Sequence, residues 1–338
     1  MAVTIKSVAE EAGVSPATVS RVFNETAPVE ESTRERILKA ADKLGYVPNA
    51  TARSLSIKET RTLGVLLPYL TGEYYPGVIR GLDQAAQEHD YFLLLSSSHH
   101  TPDDMKRALR SMYGRVDGLV LMMPQLTAAD WKKHLPSDVP AVLLNCAPGG
   151  HDISVLSIDN HEGGRRATEH LIEQGHERVG IITGELSNYD ARERLGGYHA
   201  AMQAANLPRR DEWIASGDFN RVSGEKAMRR LLEASPLPTA VFVSNDYMAM
   251  GAIQELQNAG VEVPGDIAIV GFDDIPSSEH FTPSLSSIDA RMVDLGTTAI
   301  SMLMKRIENP DTPRQVKQLE PILRVRASSD PSSEEDAS

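Results

Sequence analysis

Seven short apolar runs constrain the fold of most of this chain. They span residues 63–67, 91–95, 118–122, 141–144, 179–182, 240–243 and 267–270. Amphipathic helical stretches fall between them, at 78–88, 105–112, 164–174, 194–205, 224–234 and 248–259. Strands that are apolar on both faces and separated by helices pair in parallel, with helices covering both sides of the sheet. Seven such strands exceed one simple sheet, so two doubly wound α/β lobes are expected. A last helix over 293–307 and a strand over 319–325 close them. The 41% apolar and 24% charged residues are ordinary for a globular chain.

Sheets of this kind bind ligands beyond the carboxyl ends of their strands. Here several strands run into polar or aromatic residues. The first leads to Tyr74 and Tyr75, and others to Asn145, Asp159-Asn160, Ser244-Asn245-Asp246 and Gly271-Phe272-Asp273-Asp274. Amides and carboxylates bind hydroxyl pairs, and rings stack on apolar faces, so a cleft built this way suits a small polyhydroxyl or purine-like ligand. Any one of these residues alone reads more simply as a helix N-cap, Asp246 in particular. The recurrence over several strand ends favours the cleft.

Ahead of the lobes lies a different texture. In residues 6–24, KSVAEEAGVSPATVSRVFN, the apolar positions Ile5, Val8, Ala9 and Ala12 form one face of a helix. Gly13 supplies a left-handed turn, Ser15 a cap and Pro16 a first helical residue. In the second helix Val19, Val22 and Phe23 point inward. Pro16, Ala17, Thr18, Ser20 and Arg21 are left outward: small residues, hydroxyls and a guanidinium that fit the DNA major groove. A third helix over 30–44, with Ile37, Leu38, Ala41 and Leu44 buried and Gly45 at its end, completes a head over 1–46. A hinge segment follows at 47–60, where a short helix is too brief to stand alone in water. It reads either as a plain linker or as a hinge that turns helical only when paired with a second copy and DNA; in the second reading Ala52 allows close approach, Arg53 meets phosphate or groove, and Leu55 is an exposed apolar wedge for the minor groove. The body covers 61–327, and the acidic stretch 328–338 reads as a disordered tail.

Net charge is −13, yet residues 1–59 carry eight Lys/Arg and eight Asp/Glu, so the acidity lies in the body. Such a body repels DNA everywhere except at the head. Cys146 stands alone, which excludes an internal disulfide and suits a reducing compartment. No signal peptide and no long apolar run are visible, so a cytoplasmic protein without membrane contact is expected. The phosphate-cradling, zinc-binding and nucleophile-elbow motifs are missing, so no cofactor, metal or catalytic residue is assigned and an enzyme is not expected.

The order of these parts resembles the lactose/purine repressor family of bacterial transcription factors over about residues 4–326. The resemblance is carried by VAEEAGVSPATVSRVFN at 8–24, TRERILKAADKLGYVPNATARSL at 33–55 and DNHEGGRRATEHLIEQGHERVGII at 159–182. ARERLGGY at 191–198 and SNDYMAMGAIQELQNAGVEVPGDIAIVGFDD at 244–274 extend it. It implies a homodimer that reads a palindromic double-stranded operator with a central C–G step. Pro16, Ala17, Thr18, Ser20 and Arg21 would contact bases and phosphates, and Ala52, Arg53 and Leu55 would form the hinge helix and its wedge. The body would resemble a two-lobed periplasmic binding protein, with crossovers near 159, 290 and 320. It would take a small-molecule effector at Tyr74, Tyr75, Asn145, Asp159, Asn188, Arg192, Phe219, Asn245 and Asp273. Asn188 departs from members with Ser or Arg at that position. A sugar or sugar derivative is favoured over a purine corepressor, because acidic and amide residues dominate the cleft. Without a leucine heptad after the last strand, a dimer is expected over a tetramer. The reading from another class is a sugar-binding protein without DNA function.

Overall fold

The computed structural model describes residues 3–24, 27–46, 59–98, 102–126, 131, 134, 135, 138–147 and 153–330. The chain divides into two compact units, residues 1–62 with 115–117, and the remainder.

In the first unit, helix α1 (Ile5–Ala12) starts on Thr4, whose hydroxyl and Ser7 cap each other's backbone reciprocally. It ends at Gly13, with φ 65°. Helix α2 (Pro16–Asn24) is capped by Ser15, whose Oγ accepts from the Thr18 amide at 3.1 Å. Helix α3 (Glu31–Leu44) ends at Gly45, with φ 63°. Val8, Ala9, Ala12, Val19, Val22, Ile37, Ala40 and Ala41 form the core, with Phe23, Leu44 and Tyr46 packed around it. Leu38 was expected in the buried stripe of α3 but is exposed. Ala40 holds that place instead, three residues after Ile37 on the same face.

Farther along in the same unit, Asp117 holds residues 60 and 61. Its carboxylate accepts from the Thr60 amide at 2.8 Å, the Thr60 hydroxyl at 2.9 Å and the Arg61 amide at 2.8 Å.

The second unit contains two six-stranded sheets. The first is ordered β11-β5-β4-β3-β1-β2 and the second β12-β10-β9-β8-β6-β7. In the first lobe the strands are β1 (Thr62–Leu67), β2 (Phe92–Ser97), β3 (Gly118–Met122), β4 (Ala141–Leu144), β5 (Ser154–Ile158) and β11 (Val316–Leu319). In the second they are β6 (Val179–Thr183), β7 (Ile214–Ser216), β8 (Ala240–Val243), β9 (Ala268–Asp273), β10 (Ser286–Asp289) and β12 (Ile322–Arg324). Strand β12 runs antiparallel to β10, whereas β8, β9 and β10 are mutually parallel. The single closing strand expected over 319–325 is in fact two short strands in different sheets, divided at Glu320-Pro321. The chain changes lobes there, and also at Asp159 and around Ala290-Arg291.

Helices α4 (Tyr74–Glu88), α5 (Pro102–Met112) and α11 (Met292–Glu308) pack on the first sheet. Helix α6 (Asn160–Glu173) packs on the second, which α7 (Tyr189–Ala204), α8 (Arg221–Leu231), α9 (Asp246–Asn258) and α10 (Pro276–His280) complete. Three helix pairs meet backbone to backbone through glycines. A methyl group on Gly164 or Gly197 would stand 2.3 Å from Arg194 O or 2.0 Å from His161 O, where α6 crosses α7. Gly224 and Gly251 do the same between α8 and α9, and Gly81 and Gly296 between α4 and α11.

The expected disordered stretch does not begin at 328. Ser328 and Ser329 are buried, and Ser328 Oγ accepts from the Ser286 amide at 2.8 Å and donates to Ile269 O at 2.7 Å. These small hydroxyls cap strand ends, a role that polar composition alone disguises. Among the described residues no helix is long and apolar enough to cross a membrane.

Candidate functional site

A cavity of about 770 Å³ opens between the two lobes. The first lobe contributes Tyr74 and Tyr75 from the start of α4, Met122 at the end of β3, Pro124 beyond it, and Asn145 after β4. The second contributes Asn188, Asp190 and Arg194 from α7, Phe219 before α8, Asn245 and Tyr247 at α9, and Asp273 at the end of β9. All the strands concerned present their carboxyl ends here, so the parallel order of each sheet brings them to one place.

The backbone is forced at the wall. Asn145, Phe219 and Asp273 have φ of 48°, 67° and 109°, a region that favours glycine. Such strain persists where packing overdetermines it, and it aims these side chains into the cavity. Phe219 has a further requirement. Its ring lies so close to Gly184 that a methyl group there would stand 2.1 Å from Cζ. Gly184 thus keeps a flat slot for the aromatic plate at the end of β6.

Arg194 is the interior cation. It is buried, its Nε donates to Asn160 Oδ1 at 2.7 Å, its Nη1 donates to Ser244 O, and its Nη2 lies 3.7 Å from Asp273 Oδ1. Asn160 Nδ2 in turn donates to Asp190 Oδ1 at 2.9 Å. Burial pushes the Asp190 carboxyl up to about 6, against the pull of Arg194 and a hydrogen bond from Asn145. Asp273 is also driven well above the carboxylate range, by burial first, against the pull of Arg194, with the neighbouring Asp246 and Asp190 adding to the rise. Tyr74 and Tyr75 are pushed up by burial and stay neutral phenols. Asn145 Nδ2 donates to the Tyr74 hydroxyl at 3.1 Å.

Seven of the nine expected effector residues meet at this cavity: Tyr74, Tyr75, Asn145, Asn188, Phe219, Asn245 and Asp273. Two do not. Arg192 turns outward and donates to Leu186 O at 2.7 Å and Ser187 O at 2.9 Å. The inward arginine is Arg194, two residues on and so about 200° around the helix. Asp159 caps α6, accepting from the Glu162 amide at 2.9 Å. The expected cap Asp246 is instead buried, accepting from Ser287 Oγ at 2.6 Å, Ser278 Oγ at 2.8 Å and the Ile275 amide at 2.9 Å. Asn245 caps α9 in its place, through the Met248 amide at 3.0 Å. Among the further lining residues, the buried Asp190 and Arg194 were not expected from the sequence. The signal was present, since Asp190, Ala191, Arg194, Tyr198 and Ala201 form one buried stripe of α7.

At the head, α2 leaves Pro16, Ala17 and Arg21 exposed and Thr18 and Ser20 half-buried. Ser20 Oγ accepts from Asn24 Nδ2 at 3.0 Å, and Thr18 Oγ1 lies 2.9 Å from Ser15 Oγ. Ala52, Arg53 and Leu55 lie outside the described residues.

A helix-turn-helix head joined to a two-lobed body with a polar, aromatic-lined cleft defines a ligand-controlled DNA-binding regulator. Comparison with known proteins agrees. Residues 4–49 match the family described as bacterial regulatory proteins, lacI family, and residues 168–329 match a periplasmic binding protein-like domain. The ribose operon repressor of Escherichia coli (strain K12) is 39% identical over 328 residues, covering 96% of this chain and 99% of the relative. The HTH-type transcriptional repressor PurR of Aliivibrio salmonicida is 35% identical over 329 residues, covering 96% and 98%. Among solved structures, a lac repressor dimer bound to operator and the anti-inducer ONPF superposes with a TM-score of 0.89 at 29% identity, covering 97% and 99%. A complex of the transcriptional regulator CelR with cellobiose gives 0.74 at 32%, covering 96% and 99%. The chain belongs to the lacI family of bacterial regulatory proteins. It is a transcriptional repressor with ligand-controlled affinity for operator DNA, and not an enzyme.

Proposed function

We propose that this repressor binds a palindromic operator with a central C–G step, and that a sugar or sugar derivative in the interlobe cavity sets its affinity. The observation that carries the effector reading is the composition of the cavity wall. Phe219 and two neutral tyrosines offer flat apolar surfaces, while Asn145, Asn188, Asn245, Asp190, Asp273 and Arg194 offer amide, carboxylate and guanidinium groups at fixed positions. A polyol uses both at once, since its carbon faces stack and its vicinal hydroxyls bond in pairs. The similarity to a ribose operon repressor and to a cellobiose complex supports a sugar. A purine is the second reading, favoured by the similarity to PurR proteins.

For the DNA end, Pro16, Ala17, Thr18, Ser20 and Arg21 read the major groove, and Ala52, Arg53 and Leu55 act at the operator centre. The two copies of the dimer place their hinge segments side by side. A change of lobe angle on effector binding alters the spacing of those segments, and a coupling of about 1–3 kcal/mol changes operator affinity about 5–150-fold. A regulator that reads chromosomal DNA in this way works in the cytoplasm.

The test has two parts. Selection from a random duplex library with ligand-free protein should enrich a palindrome centred on C–G; no enrichment from a folded dimer would point to an obligatory corepressor. Thermal melting with D-ribose, cellobiose or hypoxanthine should then raise the midpoint with a sugar. A rise with hypoxanthine alone would replace the sugar reading by the purine one.

A further inference from the structure

Besides the hydrogen bond between Asn145 and Asp190 inside the cavity, two further contacts among the described residues join the lobes beside it. Glu73 immediately precedes α4, the first-lobe helix that carries Tyr74 and Tyr75. Its carboxylate reaches the second lobe, accepting from the Ser277 amide at 2.9 Å and from the Ser277 hydroxyl. Next to it Gly72, with φ +82°, is pressed against Tyr247, where a methyl group would stand 3.2 Å from the ring. At the other place the Tyr189 amide, at the start of α7, donates to Pro124 O at 3.1 Å. Pro124 belongs to the first lobe and Tyr189 to the second. Neither contact belongs to the three crossovers of the chain.

We propose that Glu73 is a positioning residue of the effector site: by clasping Ser277 it sets how far the Tyr74–Tyr75 wall stands from the Asn245–Asp273 wall. Three facts bear on this. The carboxylate takes both donors of one residue, which fixes distance and direction together. Its chain neighbours on either side, Gly72 and Tyr74, both line the cavity, so moving Glu73 moves the wall. Ser277 lies four residues beyond Asp273 and one before Ser278, which holds buried Asp246 at 2.8 Å, so the second end of the clasp is also anchored to its wall. An effector that touches both walls binds when they stand at the right separation, and the clasp holds that separation before the effector arrives. This inference rests on the cavity being the effector site.

Hydrogen exchange of the full-length, ligand-free dimer tests it without any effector. Glu73→Ala should speed exchange about tenfold at Ser277 and also at Tyr189, whose amide never touches Glu73 but is shielded only while the lobes stay together. Amides of β8 should be unchanged, which shows that the fold is intact. Glu73→Gln keeps an acceptor and a donor for Ser277 and should stay within about threefold of wild type. Faster exchange at Ser277 alone, with Tyr189 as in wild type, would overturn the proposal and reduce Glu73 to a local cap.

A second measurement uses whichever of D-ribose and cellobiose raises the melting midpoint. Titration calorimetry should show about tenfold weaker binding for Glu73→Ala and for Ser277→Ala, with no further loss in the double variant. Additive losses would overturn the clasp. Phe219→Ala separates the two readings: unchanged binding there would remove the cavity as the effector site, while exchange at Tyr189 still decides on the clasp. Should neither sugar bind, the exchange result decides alone.

Discussion

The guanidinium of Arg194 lies over the ring of Phe272, with Cζ 3.6 Å from the ring centroid. Asp273, the next residue along β9, stands 3.7 Å from the same guanidinium. One buried arginine thus joins a ring, a carboxylate, the Asn160 amide and the Ser244 carbonyl. Only a planar fork with delocalised charge meets all four, which is why lysine is no substitute here.

Arg194→Lys is therefore expected to destabilise the protein by about 2–4 kcal/mol, because buried Asp273 loses its partner and Asn160 a donor. Urea unfolding measures the loss. A change under about 0.5 kcal/mol would mean that Arg194 is not an organising charge.

Gly184→Ala separates folding from binding. The added methyl meets the Phe219 ring at 2.1 Å, and Phe219 is only partly buried, so the ring can swing toward the opening. The protein should fold with a loss of about 1–3 kcal/mol, while sugar binding, read by calorimetry, falls at least tenfold. Unchanged affinity would show that the ring needs no fixed position.

Asp190 predicts a pH dependence. Its folded value, about 6, lies above the ordinary 3.8, so the folded state holds the proton more tightly. The stabilisation is complete below the ordinary value and is lost as pH rises through 6. About two pKa units correspond to roughly 3 kcal/mol. His170 and His176, lowered by burial, act in the opposite sense, so the wild-type curve is a composite. The difference between wild type and Asp190→Asn isolates the carboxyl. Wild type should lose on the order of 2–3 kcal/mol relative to the variant between pH 4 and pH 7.5. Parallel curves would show that Asp190 titrates normally.

At the head, Arg21 is exposed in the last turn of α2, whose N-cap Ser15 and buried face do not use it. Arg21→Ala should leave melting unchanged and relax one operator position by roughly 1–3 kcal/mol, measured with single-base operator variants. An equal loss on every sequence would make it a phosphate contact instead.

Much of this was readable in advance where a periodic pattern meets a turn residue. Val8, Ala9, Ala12, Val19 and Val22 lie in the head core, and Gly13 and Gly45 are left-handed stops, because small helices obey local rules. Helix starts in the body were read about one turn late, at 164 rather than Asn160 and at 194 rather than Tyr189. A helix begins at its cap, while its apolar stripe begins with the first residue that packs. The same lag hid Asp190, which lies in that unread first turn. The exchange of Arg192 for Arg194 has another cause. Both occur in one motif, and only their rotation about the helix axis decides which faces the cleft. Nor does local pattern reveal that Asp246 is held by Ser278 and Ser287, from 32 and 41 residues away.

The three lobe changes have a consequence for synthesis. The ribosome releases the first lobe's strands β1 to β5 early, but their sheet stays without the covering helix α11 and edge strand β11 until residues 292–319 have emerged. The second lobe needs only residues 160–289 to complete five of its six strands. Domains generally finish in the order in which they are made. Here neither lobe can follow that order: the first lacks α11 and β11, and the second lacks β12, until the chain beyond residue 319 has emerged, so the two sheets are completed together.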